Sequence, residues 1–168
     1  MIRDLARKLT AFDFVGSVLA RLEFRRGSFT AGARLVEVHS AMAVICVRTS
    51  QAELLVKLIR PRSEILPALG CRIQSSEKIW RVFTESEVTD FVEDVGDRNQ
   101  IHRLKPPIVP GLLLLETLLD CAEFSSCRYV KLKFKNFITA GEPLALSQVA
   151  GGYEISGAGV RKVLISVI

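Results

Sequence analysis

The sequence predicts an α+β fold made of two related halves, and three patterns carry that prediction. The first is an internal repeat. Residues 29–59, opening Phe29-Thr30-Ala31-Gly32-Ala33-Arg34-Leu35, align without a gap on residues 138–168, opening Ile138-Thr139-Ala140-Gly141-Glu142-Pro143-Leu144. Identities fall at Thr30/Thr139, Ala31/Ala140, Gly32/Gly141, Leu35/Leu144, Ala41/Ala150, Leu55/Leu164 and Ile59/Ile168, and a one-residue shift adds Leu22/Leu132 and Phe24/Phe134 upstream. The second pattern is helical spacing of leucine and phenylalanine ahead of each copy, over residues 2–19 and 111–124. The third is period-two alternation, clearest at Lys131-Leu132-Lys133-Phe134-Lys135, where lysines take one side of a strand and apolar residues the other.

Each copy therefore reads as a helix, a strand, a turn at Ala-Gly and two further strands rich in Val, Ile and Leu. Residues 1–59 form a partial N-terminal copy, 60–78 a connection marked by Pro61 and Pro67, and 79–168 a fuller C-terminal unit. That unit carries material the first copy lacks. Ile79-Trp80-Arg81-Val82-Phe83 reads as a short strand, and Thr84-Glu85-Ser86-Glu87 has capping-box spacing. Val88, Phe91, Val92 and Val95 make the apolar stripe of the helix that follows, and Gly96 ends it.

Composition narrows the function classes. Of 168 residues 49% are hydrophobic and the mean hydropathy is +0.28, values that suit extensive sheet-on-helix packing or a subunit interface in a homodimer or hetero-oligomer. The longest nearly apolar stretch, residues 108–119, is broken by Pro110, Gly111 and Glu116 and falls short of the roughly 20 residues a membrane helix needs, so no span is expected. The N-terminus mixes Arg3, Arg7 and Lys8 with Asp4 and Asp13 and reads as a folded amphipathic helix rather than a leader. Cys46, Cys71, Cys121 and Cys127 show no C-x-x-C spacing, which fits a reducing, cytoplasmic setting. With His39 and His102 the only histidines, no metal site is expected. The net charge of +5 is scattered and aromatic residues make up 7%, so nucleic acid is not the expected partner.

The chemistry gathers after Gly96. Asp97, Asn99 and His102 stand in a loop delivered by a capped helix, followed by Pro106-Pro107-Ile108-Val109-Pro110-Gly111 and a second helix that carries Glu116 among leucines. A carboxylate and an imidazole there can exchange protons with a substrate, and the Gly111 amide, unpaired in the first helical turn, can donate to a developing oxyanion. Asp97 and Asn99 can equally serve as turn formers, bonding their own backbone. Glu116 reads either as a buried functional carboxylate or as the exposed member of an amphipathic helix.

Gly96-Asp97-Arg98-Asn99-Gln100-Ile101-His102 with Ile108-Val109-Pro110-Gly111 resembles the signature of MaoC-like (R)-specific enoyl-CoA hydratases, in which G-D-x-N-P-x-H supplies a catalytic Asp and His. His102, Pro110-Gly111 and Glu116 are also spaced as in 3-hydroxyacyl-ACP dehydratases, whose run provides a histidine, an oxyanion-hole glycine and a helix carboxylate. Residues 137–144 are similar to a turn that both families share. The departures are Gln100 in place of proline, a shorter stretch from His102 to Gly111, and Arg103-Leu104-Lys105 where the dehydratases have Phe-Pro-Gly.

Both resemblances imply a hotdog fold, an antiparallel sheet wrapped around a long central helix, here a double hotdog with a truncated N-terminal copy. They imply a hydratase or dehydratase of trans-2-enoyl and (R)-3-hydroxyacyl thioesters, carried on CoA or acyl carrier protein, working by acid-base catalysis with no cofactor. Asp97 and His102 would activate water, Asn99 would orient them, Gly111 would polarise the thioester carbonyl, and Glu116 stands second as an acid. In the ACP dehydratases the helix carboxylate comes from the partner unit, and the position matching Glu116 in the first copy falls near Ala6 or Arg7, where no carboxylate exists. That favours the Asp97/His102 pair. The acyl chain would lie between the two units beside Pro110, with Arg98, Arg103 and Lys105 placed to meet phosphate on the pantetheine arm. The alternatives are a hotdog thioesterase using Glu116 and a non-catalytic acyl-thioester-binding subunit.

Overall fold

A computed structural model describes residues 1–12, 15–61 and 78–168. Asp13, Pro67, Cys71 and most of the connecting segment 60–78 lie outside the described residues. In chain order the elements are α1 (Ile2–Thr10), β1 (Val18–Arg26), β2 (Gly32–His39), β3 (Met42–Arg48), β4 (Ala52–Ile59), β5 (Ile79–Val82) and α2 (Glu85–Val95). After a 3₁₀ turn (Gln100–Arg103) come α3 (Gly111–Leu119), α4 (Ala122–Ser125), β6 (Tyr129–Phe134), β7 (Pro143–Val149), β8 (Gly152–Gly157) and β9 (Val160–Val167).

The nine strands form one antiparallel sheet in the order β2-β3-β4-β1-β6-β9-β8-β7-β5. Its middle is the β1–β6 pair, where Leu22 faces Leu132 and Phe24 faces Val130, all four fully buried. Read outward from that pair, both halves follow one plan: first strand, last strand, third, second. The alignment that sets residue 29 on 138 also sets all of α1 on all of α3. The architecture is thus α+β, as the sequence patterns require.

Helix α3 is embedded in the core, because Leu112, Leu113, Leu114, Leu115, Leu118 and Leu119 are all buried and leave only a narrow polar seam. Burying a leucine side chain is worth roughly 1.5–3 kcal/mol, so this segment contributes much of the drive for collapse. α1 packs on α3 and α2 through Ile2, Leu5 and Ala6, and α2 turns Val88, Phe91, Val92 and Val95 inward. The capping box is formed: Thr84 Oγ1 accepts from Glu87 N at 3.2 Å, and Glu87 Oε2 accepts from Thr84 N at 2.8 Å.

Both leading helices are shorter than their hydrophobic patterns suggest. In the first half the helix stops at Thr10, Gly16 takes φ +81, and Val18, Leu22 and Phe24 are spent on the inner face of β1, across a bulge between Leu19 and Arg21. In the second half Asp120 caps α3, and Cys121 is extended at φ −77 and ψ 145 before α4 begins.

Candidate active site

Helix α2 ends at Gly96, whose φ of +70 reverses the chain, and the Asp97 amide closes on the Val92 carbonyl at 2.9 Å. This termination aims Asp97 toward the centre of the molecule. Its Oδ1 accepts from the Asn99 amide at 2.9 Å, a local turn that leaves Oδ2 directed at His102. Oδ1 thus makes the turn, and Oδ2 is the oxygen left to face His102.

His102 rides on the 3₁₀ turn with its side chain only 8% exposed. Its Nδ1–H donates to the Ile108 carbonyl at 2.6 Å, which fixes the neutral ring with Nε2 as the free acceptor. Nε2 lies 3.6 Å from Asp97 Oδ2, too far for a direct hydrogen bond and close enough for one oxygen atom to touch both. Burial holds the His102 pKa below its ordinary 6.5, outweighing the Asp97 carboxylate and the Ile108 carbonyl, which push it up. The imidazole is thus a neutral base at physiological pH.

Because the folded pKa lies below the unfolded 6.5, the neutral ring's contribution to stability is complete above that pH and is lost as pH falls from 6.5 through the folded value. Melting temperature of wild type relative to His102→Gln should fall as the buffer is acidified below pH 6.5. A constant difference between the two would mean that the ring titrates normally.

Both groups line a cavity of about 290 Å³. α1 contributes Ala6, Leu9 and Thr10, β1 contributes Val18 and Leu19, α2 contributes Phe91 and Val95, and Pro110, Gly111 and Leu114 form the wall at the start of α3. Buried Pro110 caps that helix. The first helical amide to reach an intrahelical carbonyl is Leu114, bonded to Pro110 O at 3.1 Å, so the Gly111 amide sits at the open positive end. Glycine is needed there for space as well: a Cβ on residue 111 would lie 2.8 Å from Cζ of Phe134.

The remaining sequence candidates divide between the cavity wall, which Asn99 also lines, and places outside it. The Asn99 side chain turns away from the histidine, its Nδ2 donating to Ser17 O at 2.7 Å and its Oδ1 accepting from Gly16 N at 3.4 Å, so it fastens the loop to the approach to β1 while its backbone orients Asp97. Glu116 does not line the cavity. Its two oxygens receive Arg3 Nε at 3.2 and 3.3 Å, within a cluster that includes Arg7 and Asp94. Arg98 lines a neighbouring recess of about 90 Å³ with Thr10 and Asp97, while Arg103 and Lys105 are exposed and line neither space.

Sequence reasoning did not single out Phe134, Leu19 or the α1 residues as cavity walls. For Phe134 the signal was present in the repeat, which sets it on Phe24 in the strand ahead of each meander; Leu19 carried none, because residues 2–19 read as a helix. Among the described residues there is no group of three or more His, Cys, Asp or Glu side chains that could hold a metal ion, and no helix long and apolar enough to cross a membrane.

No family model matches the chain, and no curated protein matches it. Solved structures do. HtdX of Mycobacterium tuberculosis superposes with a TM-score of 0.63 at 13% identity, covering 99% of this chain and 85% of that one. A MaoC-like dehydratase from Phytophthora capsici gives 0.55 at 12% identity, covering 94% and 70%, and an acyl-ACP thioesterase from Bacteroides thetaiotaomicron gives 0.51 at 12%, covering 90% and 75%. The chain has the hotdog fold these structures share. The resemblance to the MaoC-like group read from residues 96–111 is matched at the level of the fold.

Proposed function

We propose that this protein is a hydro-lyase that interconverts trans-2-enoyl and (R)-3-hydroxyacyl thioesters. The observation that supports this most strongly is the meeting of Asp97 Oδ2 and His102 Nε2, 3.6 Å apart, in an apolar cavity that also contains the amide end of α3. A water molecule held by both groups gives its oxygen to C3 of the enoyl chain and one proton to the pair. The Gly111 amide stabilises the enolate oxygen that develops at the thioester carbonyl, and the proton then passes from the pair to C2 on the same face. Water is added across the double bond with nothing left over, and the reverse sequence is the dehydration.

The acyl chain occupies the apolar space between α1 and α3, and the carrier, CoA or acyl carrier protein, remains outside. In this reading residues 1–59 form a partial hotdog that supplies one wall and residues 79–168 the unit that carries the chemistry. The setting is cytoplasmic, and the protein works as a homodimer or hetero-oligomer. A thioesterase using Glu116 would need that carboxylate at the thioester, whereas its bonds to Arg3 hold it off the cavity wall.

The test is loss of the conjugated enoyl absorbance when the protein meets crotonyl-CoA and longer trans-2-enoyl-CoAs. Wild type and Glu116→Ala are expected to turn over and Asp97→Asn to fail. Thioester hydrolysis abolished by Glu116→Ala and indifferent to Asp97→Asn would replace the hydratase with the thioesterase, and binding without turnover would leave a non-catalytic acyl-thioester subunit.

A further inference from the structure

One buried charged pair takes no part in the chemistry described above. Lys162 on β9 is 5% exposed, and its Nζ lies 2.6 Å from Glu142 Oε1 and donates to the Phe137 carbonyl at 2.9 Å. The other carboxylate oxygen accepts from Thr139 N at 3.2 Å and from Thr139 Oγ1 at 3.4 Å. Gly157 makes room for the carboxylate, since a Cβ there would stand 2.7 Å from Oε1.

Fold stability does not account for such a pair, because apolar residues of similar volume usually serve a core as well or better. The repeat makes the same point from within the molecule. Its alignment sets Ala33 at the position of Glu142 and Glu53 at that of Lys162; Glu53 pairs instead with Arg48 on the neighbouring strand, and with alanine at 33 the Thr30-Ala31-Gly32 entry to β2 has no carboxylate to brace it. The copy that has the pair is the copy that has the histidine loop.

From Thr139 a short series of contacts leads to His102. Thr139 forms an isolated antiparallel bridge with Ile108. On either side of the bridge, Val109 N donates to Ile138 O at 2.8 Å and Ala140 N donates to Pro107 O at 2.9 Å. Ile108 N in turn donates to Ile101 O at 3.1 Å, and Ile108 O receives His102 Nδ1–H. The segment that sets the histidine tautomer is therefore held by the turn that the buried pair braces.

We propose that Lys162 and Glu142 are positioning residues: they fix the 137–142 turn against Ile108, so that the Ile108 carbonyl stays on His102 Nδ1 and Nε2 stays toward Asp97. The proposal rests on His102 being the base inferred above, and its first readout is independent of turnover. The chain has two histidines, and His39, with a side chain 61% exposed, serves as the internal reference in ring-nitrogen NMR.

The test compares wild type with the double variant Lys162→Met/Glu142→Leu, which keeps the volume and leaves no unpaired buried charge. Wild type is expected to show His102 as a single Nδ1–H tautomer. The folded double variant is expected to show a mixture, with kcat for crotonyl-CoA reduced roughly 10- to 100-fold and KM little changed, the penalty of a misplaced catalytic group. Thr139→Val, which removes only the hydroxyl donor to Glu142, should move the tautomer in the same direction to a smaller degree and serves if the double variant does not fold. A folded double variant, or failing that a folded Thr139→Val, with the wild-type tautomer overturns the positioning role whatever its rate. If wild type adds no water to any enoyl thioester, the function proposed above is lost while the tautomer comparison still decides this one.

Discussion

The His102→Ala variant is expected to hydrate crotonyl-CoA about 10²- to 10⁴-fold more slowly than wild type, measured as kcat/KM, which is the range a positioned general base supplies. Asp97→Asn should lie in the same range without disturbing the loop, since the Asn99 amide can still donate to the side-chain oxygen that replaces Oδ1. In the proposed mechanism the two groups act on one water, so the double variant should lose little beyond His102→Ala alone. The pH profile gives a second handle. The acid limb of wild-type kcat/KM belongs below the ordinary histidine value of 6.5, because burial opposes the imidazolium. In Asp97→Asn the carboxylate that raises the pKa is gone while burial remains, so whatever activity persists should have its acid limb at still lower pH. Losses that multiply in the double variant would show two groups working on separate steps, and unimpaired turnover in His102→Ala would remove the histidine from the chemistry.

Much of this arrangement was legible because local signals agreed with tertiary ones. The Thr-Ala-Gly repeat announced two copies of one unit, and the sheet sets them at matching places on either side of the β1–β6 pair. The capping box at Thr84 and the glycine at 96 fixed both ends of α2 and hence the placement of Asp97. What failed to show was decided by contacts between distant residues. The leucine and phenylalanine spacing over residues 2–19 is compatible with a helix, and only the pairing of Val18 and Leu19 with Ile59 and Leu58 of β4 makes its last part a strand. Glu116 among six buried leucines could have faced either way, and Arg3, 113 positions earlier in the chain, settles it. Asn99 does line the cavity, but its sequence proximity to Asp97 and His102 says nothing of Ser17, the carbonyl its side chain meets. The buried Lys162 escaped notice because a lysine in an alternating strand normally faces water. Comparison of the two copies held the only hint, opposite changes of charge at two positions that a turn brings together.

Removing a single N–H should give the second large effect. Gly111 is the first residue of α3, the place where proline is best tolerated in a helix, and Pro110 already has the extended conformation, φ −60 and ψ 133, that a following proline demands. Any side chain at 111 meets the ring of Phe134, so the comparison belongs in a Phe134→Ala background that clears the space. There, Gly111→Ala keeps the amide donor and Gly111→Pro deletes it. The proline variant is expected to show kcat about 10²- to 10³-fold below the alanine variant, the usual cost of one oxyanion-hole donor. Its KM should change far less, because the bond strengthens as negative charge gathers on the thioester oxygen in the transition state. Equal kcat values for the two would mean that the carbonyl rests on some other donor, and that the open end of α3 faces the cavity without touching the reacting atoms.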